Sequence, residues 1–347
     1  MGRHLVSTTN GGAVTVNLSA TPVGGSPLPA DLDPATYRSH SLHSSERTWS
    51  ETNCYVDLWI ELLHAMGADP TPALAFALSA GFDGRQWDFV KFQPEDLRLL
   101  YGVDVSEMNI WKPFGEHLIE NMHDGVLSTV EIDAFYLPDT DGTSYGREHT
   151  KTTIVPTAID ADARRLDYFH NAGLFRLEGD DFDGALARSL APGTVALPPY
   201  VERVVVDRDA LAAGPETDDH DLQVVRAHLE RADAGNPVER LGGRVVEDVA
   251  LIQQAGPDFF HLWSFGTLRQ CGSTAELAAD LAEYLERRGV EGAAAAAEPF
   301  REVASGAKSV QFRMARAARG RDVDVRDSMA GVAAAWQRGM DAVRSAL

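Results

Sequence analysis

From Asn53 to Met66 the apolar residues Tyr55, Leu58, Trp59, Leu62, Leu63 and Met66 recur three and four positions apart, which places them on one stripe of an α-helix. Between Leu127 and Asn171 the period shortens, and Val130, Ile132, Ala134 and Tyr136 alternate as residues on one face of a strand do. Beyond about residue 207 the helical spacing returns and continues to the end of the chain. A helix first, an alternating block next and a helical tail last predict an α+β fold, because each period buries its apolar residues on only one kind of element.

Local signals mark the elements. Gly67 caps the first helix and Asp69-Pro70 stops it; Thr71 and Pro72 open a second helix that ends at Gly81. Residues 87–92 read as a strand, 94–101 as a short helix stopped by Gly102, and 113–123 as a helix. Strands are expected over 127–137, 149–159, 165–171 and 201–206, with a polar loop at 138–147. The helices of the tail are expected at 222–231, 246–254, 259–269, 275–288, 300–318 and 329–347. Residues 1–45, rich in Ser, Thr, Gly and Pro, read as an extended arm with one strand at the alternating patch Ala13-Val14-Thr15-Val16, and ordered structure is expected to begin near Trp49. The expected division is therefore an arm at 1–45, an α+β domain at 46–207 and an all-α domain at 208–347.

Composition excludes several classes. With 31 basic against 52 acidic residues the net charge is −21, which opposes non-specific nucleic-acid binding. The densest apolar runs, at 73–78 and 293–297, are too short to span a bilayer, so no membrane is expected. No basic-then-apolar leader opens the sequence, and the two cysteines cannot build a disulfide framework. A cytoplasmic protein is expected, with no metal site, since no Cys/His cluster has zinc-ligand spacing.

Cys54 stands in the first turn of the first helix. There the positive end of the helix dipole and unpaired backbone N–H groups stabilise a thiolate, and the same N–H groups can serve an oxyanion. His149 opens a strand and is placed to act as base and then as acid. Asn171, at the end of the returning strand, is the first candidate to orient the imidazole; Asp167, on the same face by alternation, is the competing one. Cys271, beside Gly272, reads as a helix-end packing residue.

The segments Thr52-Asn53-Cys54-Tyr55-Val56-Asp57-Leu58-Trp59-Ile60-Glu61, 130–139, Arg147-Glu148-His149-Thr150-Lys151 and Tyr168-Phe169-His170-Asn171-Ala172-Gly173 resemble an uncharacterised bacterial family of domains of unknown function. That family is in turn similar to the papain-like acyltransferase of butirosin biosynthesis. The resemblance runs from about residue 46 to the C-terminus. It implies a papain-like fold with Cys54 as nucleophile, His149 as base and Asn171 as orienter, and an association with amino acid:carrier-protein ligases and their carrier proteins. Asp133 and Tyr136 match the family's strand before the histidine; with Tyr145 and Lys151 they are substrate-binding candidates. Papain-type enzymes carry a Gln before the nucleophile as an oxyanion donor, and residues 46–53 contain none. Asn53 or the Trp49 indole is expected in its place, or the Cys54 N–H acting with either. In the helical half, Arg269 and Lys308 are candidates for a substrate carboxylate or the pantetheine phosphate.

The expected activity is acyl or aminoacyl transfer from a carrier-protein thioester, through a Cys54 thioester, to a small amine or hydroxyl acceptor. No cofactor is expected beyond the phosphopantetheine arm that the donor brings. Hydrolysis by the same residues, or a non-catalytic scaffold that docks a carrier protein, are the alternatives.

Overall fold

A computed structural model describes residues 4–7, 13–16, 25–186 and 198–347. The protein is α+β, with an antiparallel sheet of six strands and a helical C-terminal region. It divides into two compact units: the chain up to His40 with 57–68 and 101–212, and 41–56 with 69–100 and 213–347.

In the first unit, strands β1 (His4–Ser7) and β2 (Ala13–Val16) form an antiparallel pair. The main sheet contains β3 (Val103–Glu107), β4 (Leu127–Asp133), β5 (Lys151–Asp160), β6 (Arg165–His170), β7 (Gly173–Glu178) and β8 (Val201–Val206), in the order β3-β8-β4-β5-β6-β7. Val130, Ile132, Ile154, Leu166, Tyr168 and Leu177 share one buried cluster with Leu118, Ile119 and Met122 of a helix at Phe114–His123 and with Phe182 of a short helix at Asp180–Ala185. Phe169, neighbour of Tyr168 and so on the other face, meets the Tyr37 ring at 5.2 Å. The Tyr37 hydroxyl donates to Glu61 at 2.5 Å. Order thus begins well before Trp49: in 25–45 the buried Leu28 and Leu42 and the Tyr37 phenol anchor what the sequence presents as a loose arm. The remaining residues of 1–24 lie outside the described part.

Helix α1 (Cys54–Ala65) supplies its first three residues to the second unit and the rest to the first. The second unit holds a 3₁₀ turn at Thr71–Ala75 running into α2 (Phe76–Ser79), then α3 (Pro94–Tyr101), α4 (His220–Arg231), α5 (Pro237–Glu247), α6 (Val249–Ser264), α7 (Gln270–Arg287), α8 (Ala297–Ala317) and α9 (Arg326–Ala346). Gly256 at φ 83°, followed by Pro257, breaks α6, and a π-helical turn, Phe265–Arg269, joins it to α7. Helix α7 is the core of the unit, with Cys271, Ala275, Ala278, Leu281 and Leu285 inaccessible.

Several elements differ from expectation for local reasons. The strand expected at 127–137 ends at Asp133, whose carboxylate accepts the Phe135 N–H (3.0 Å) and starts a 3₁₀ turn, Ala134–Tyr136. Residues 87–92 make only a single bridge, Trp87 to Phe82, because the Trp87 N–H goes to the Gly266 carbonyl (2.8 Å). The helix expected from Thr71 to Gly81 is mostly 3₁₀, with Pro70 at its start. Strands β3 and β7 were not expected: β3 offers only Val103 and Val105 as alternating apolar residues, and in β7 Leu174 and Phe175 are adjacent. The compact units are not continuous in the sequence, since 41–56 and 69–100 group with the helices.

Candidate functional site

Two groups of residues carry chemistry, one in each unit. In the first unit, β4 and β5 pair with Asp133 opposite Lys151, and the Ala134 N–H donates to the Thr150 carbonyl (2.8 Å). This brings His149, just ahead of β5, to the end of β4. Its Nδ1 lies 2.6 Å from Asp133 Oδ2, while Asp133 Oδ1 is occupied by the Phe135 N–H. The Phe135 ring stacks on the imidazole with centroids 4.4 Å apart and planes within 12°, and Tyr136 meets it edge-on at 6.4 Å. The carboxylate and the stacked ring fix the orientation of the imidazole. With Nδ1–H donating to Asp133, Nε2 is left to accept a proton. The side chain is 67% exposed.

The side chain that holds His149 Nδ1 is therefore Asp133, and not the expected Asn171 or Asp167. Register explains the correction. Ile154 pairs with His170, which puts Asn171 level with Thr153, four residues of extended chain or roughly 13 Å from His149. Asn171 instead takes a left-handed backbone, φ 44°, in the two-residue turn between β6 and β7, where Asn is well tolerated. Both oxygens of Asp167 are held by Arg176, at 2.6 and 2.7 Å.

The other candidates of this unit have local partners. Tyr136 packs over Gly184, where a Cβ would come within 2.2 Å of its ring. Tyr145 donates to Asp181 (2.9 Å), which raises the pKa of its phenol. Lys151 reaches Glu131 at 2.5 Å. A second histidine, His170, is buried between Asp139 Oδ2 (2.5 Å) and the Thr152 hydroxyl (2.7 Å), and Tyr168 donates to the other oxygen of Asp139. Burial and the Asp139 charge push the Tyr168 phenol far up.

In the second unit, Asn53 is the N-cap of α1: its Oδ1 accepts from the N–H groups of Tyr55 (3.1 Å) and Val56 (3.0 Å). Cys54, the first helical residue, is half-buried, and its N–H is not taken by the cap. Asn53 Nδ2 donates to the Val90 carbonyl at 2.9 Å, so Asn53 is not a free oxyanion donor. Neither is Trp49, whose indole donates to the Ala304 carbonyl (3.0 Å). Of the three expected donors, the Cys54 N–H remains. Lys308 is also committed, donating to the Thr48 carbonyl (2.6 Å) and lying 4.3 Å over the Trp49 ring; it is not a free anion-binding cation. Arg269 keeps 33% exposure beside Glu51 (4.0 Å), Phe265 (5.7 Å) and the Thr52 carbonyl (3.4 Å). Burial pushes the Cys271 thiol far up, as expected of an inert packing residue.

No local pattern in the sequence marks a further linked group in this unit. His228 bonds Ser79 at 2.7 Å and Asp96 at 2.8 Å, and at 2% exposure it ties α2, α3 and α4 together from within.

These features define a class: an α+β protein with a cysteine at a capped helix start and an aspartate-held histidine at a sheet end. Residues 38–206 match the DUF1839 N-terminal domain and residues 216–345 the DUF1839 C-terminal domain, and the chain belongs to that family. No curated protein matches it in sequence. Among the described residues no helix is long and apolar enough to cross a membrane.

Proposed function

We propose that this chain is a papain-like, cysteine-dependent acyltransferase, with Cys54 as nucleophile and His149, held by Asp133, as its base. The observation that carries the reading is the Asp133–His149–Phe135 arrangement, which holds an imidazole by Nδ1 and leaves Nε2 for proton transfer. Further support comes from Cys54 at the first position of a capped twelve-residue helix. The donor in this reading is an acyl or aminoacyl thioester on the phosphopantetheine arm of a carrier protein, the donor that the sequence resemblance described above would imply.

In this reading the Cys54 thiolate attacks the thioester carbonyl, and the Cys54 N–H steadies the oxyanion. The S–C bond to pantetheine breaks, and the leaving thiolate takes the proton from His149. A small amine or hydroxyl acceptor then gives its proton to His149 as it attacks the Cys54 thioester, and Cys54 leaves as thiolate. The exposure of the His149 side chain, 67%, favours hydrolysis as the second reading, with water as acceptor. The protein acts in the cytoplasm.

The test is intact-mass analysis after incubation with an acyl-pantetheine thioester. Wild type gains the acyl mass; Cys54→Ala does not, and His149→Ala loads at least ~100-fold more slowly. An amine acceptor discharges the adduct faster than buffer does. Decay at one rate with every acceptor makes the protein a hydrolase, and a protein that binds carrier without acylating is a scaffold.

A further inference from the structure

The segment that leads into Cys54 runs along one stripe of α7, antiparallel to it. Arg47 forks onto Asp280 with bonds of 3.0 and 2.6 Å. The N–H groups of Thr48 and Trp49 donate to the two oxygens of Glu276, at 2.9 and 2.6 Å. The Trp49 indole then crosses α7 at Gly272, where a Cβ would stand 2.6 Å from its nitrogen. Positions 272, 276 and 280 are four apart, which is one helix stripe. At the N-terminal end of that stripe the regular helix gives way to the π-helical turn Phe265–Arg269, a distortion that recurs at functional sites.

Two side chains at this junction converge on the residues before Cys54. Neighbours on a helix normally diverge by about 100°, yet Arg269 Nε and Gln270 Nε2 both donate to the Thr52 carbonyl, each at 3.4 Å. The Gln270 oxygen also accepts from Asn53 Nδ2, at 3.4 Å. Gln270 is buried, so its amide holds the backbone of Thr52 and the side chain of Asn53 and does not itself meet substrate. Asn53 in turn caps Tyr55 and Val56. A push at Gln270 is thus relayed through one residue to the backbone on either side of the Cys54 sulfur.

We propose that Gln270, with Arg269, is a positioning residue for Cys54, and that the π-helical turn is the device that aims both at Thr52. The proposal rests on the reading of Cys54 as nucleophile and deepens it. It gives the C-terminal family domain, which contains Arg269 and Gln270, a direct part in a reaction whose nucleophile belongs to the N-terminal domain. The helical region is then part of the Cys54 machinery, and the pairing of the two family domains in one chain has a physical reason.

Two readouts on full-length protein test this. One is amide hydrogen exchange at Tyr55 and Val56, and the other is the rate of Cys54 alkylation by iodoacetamide at fixed pH, with buried Cys271 as the internal control. Gln270→Met keeps the side-chain length and removes both hydrogen-bonding atoms. It is expected to speed exchange at Tyr55 and Val56 about tenfold and to slow Cys54 alkylation about tenfold; in the acyl-transfer assay it lowers kcat with KM unchanged. If Gln270→Met does not fold, Arg269→Met, at a partly exposed position, is expected to move both readouts about threefold. A folded variant with both readouts at wild-type values overturns the proposal. Should wild-type Cys54 react no faster than a free thiol, the acyltransferase reading falls, while hydrogen exchange still decides whether Gln270 positions the helix start.

Discussion

At the scale of single residues, the choice of partner for His149 separates a generic histidine from a poised one. Asp133 serves twice, capping Phe135 with one oxygen and holding His149 with the other. Asp133→Asn keeps an oxygen for the cap and loses the charge that stabilises an imidazolium. It is expected to lower single-turnover acylation ~100-fold or more, with little change in thermal midpoint. An unchanged rate would remove Asp133 from the mechanism. His117 offers a separate residue-scale test. Burial, and then the nearby Lys112 charge, lower its pKa from 6.5 against the opposing pull of Glu120 and Glu116, and its neutral Nε2 accepts the Trp111 N–H (3.5 Å). Below pH 6.5 His117 therefore binds more proton in the unfolded chain than in the folded one. The contribution of His117 is full above that pH and is lost as pH falls through the lowered folded value. Urea melts at pH 5 and pH 7.5 are expected to differ less for His117→Gln than for wild type.

At the scale of elements, the start of α1 depends on one side chain. Asn53 satisfies two helix N–H groups and the Val90 carbonyl at once. Asn53→Ala removes the cap and leaves the buried Val90 carbonyl without that donor, so a loss of ~1–3 kcal/mol is expected in chemical denaturation. Asn53→Asp keeps the cap and is expected to recover about half of it; equal losses for the two would mean that the cap contributes nothing. The elements legible beforehand were those with strong local signals: α1 from its stripe and Gly67, β5 and β6 from alternation about a turn, and the long helices of the tail. Strand β4 was read four residues too long because Ala134 and Tyr136 continue the alternation. What ends it is a side-chain cap, which a period cannot reveal.

At the scale of the whole chain, the compact units do not follow the order of the sequence. Residues 47–49 are bonded to Asp280, Glu276 and Ala304, and the Trp87 ring meets Trp336 at 5.8 Å. A fragment of residues 208–347 lacks all of these and leaves the stripe of Gly272, Glu276 and Asp280 bare. It is expected to bind an apolar dye and to lack near-ultraviolet circular dichroism, where the intact chain does neither. A cooperative melt of that fragment would show that the strap at 47–53 is dispensable to the helical core.

The sequence by itself determined the class of the fold, the succession of helix, sheet and helices, and the position of Cys54 at a helix start. All of these are written in periods and caps that span a few residues. It also placed His149 at the head of a strand. Only the tertiary structure decided what those residues touch. The register of β4 against β5 gave His149 to Asp133 and left Asn171 in a turn. The strap along α7 consumed Trp49, Asn53 and Lys308 and brought Gln270 to a carbonyl 218 residues away in the chain. Contacts across such separations arise from the pairing of whole elements, and no local pattern carries that information.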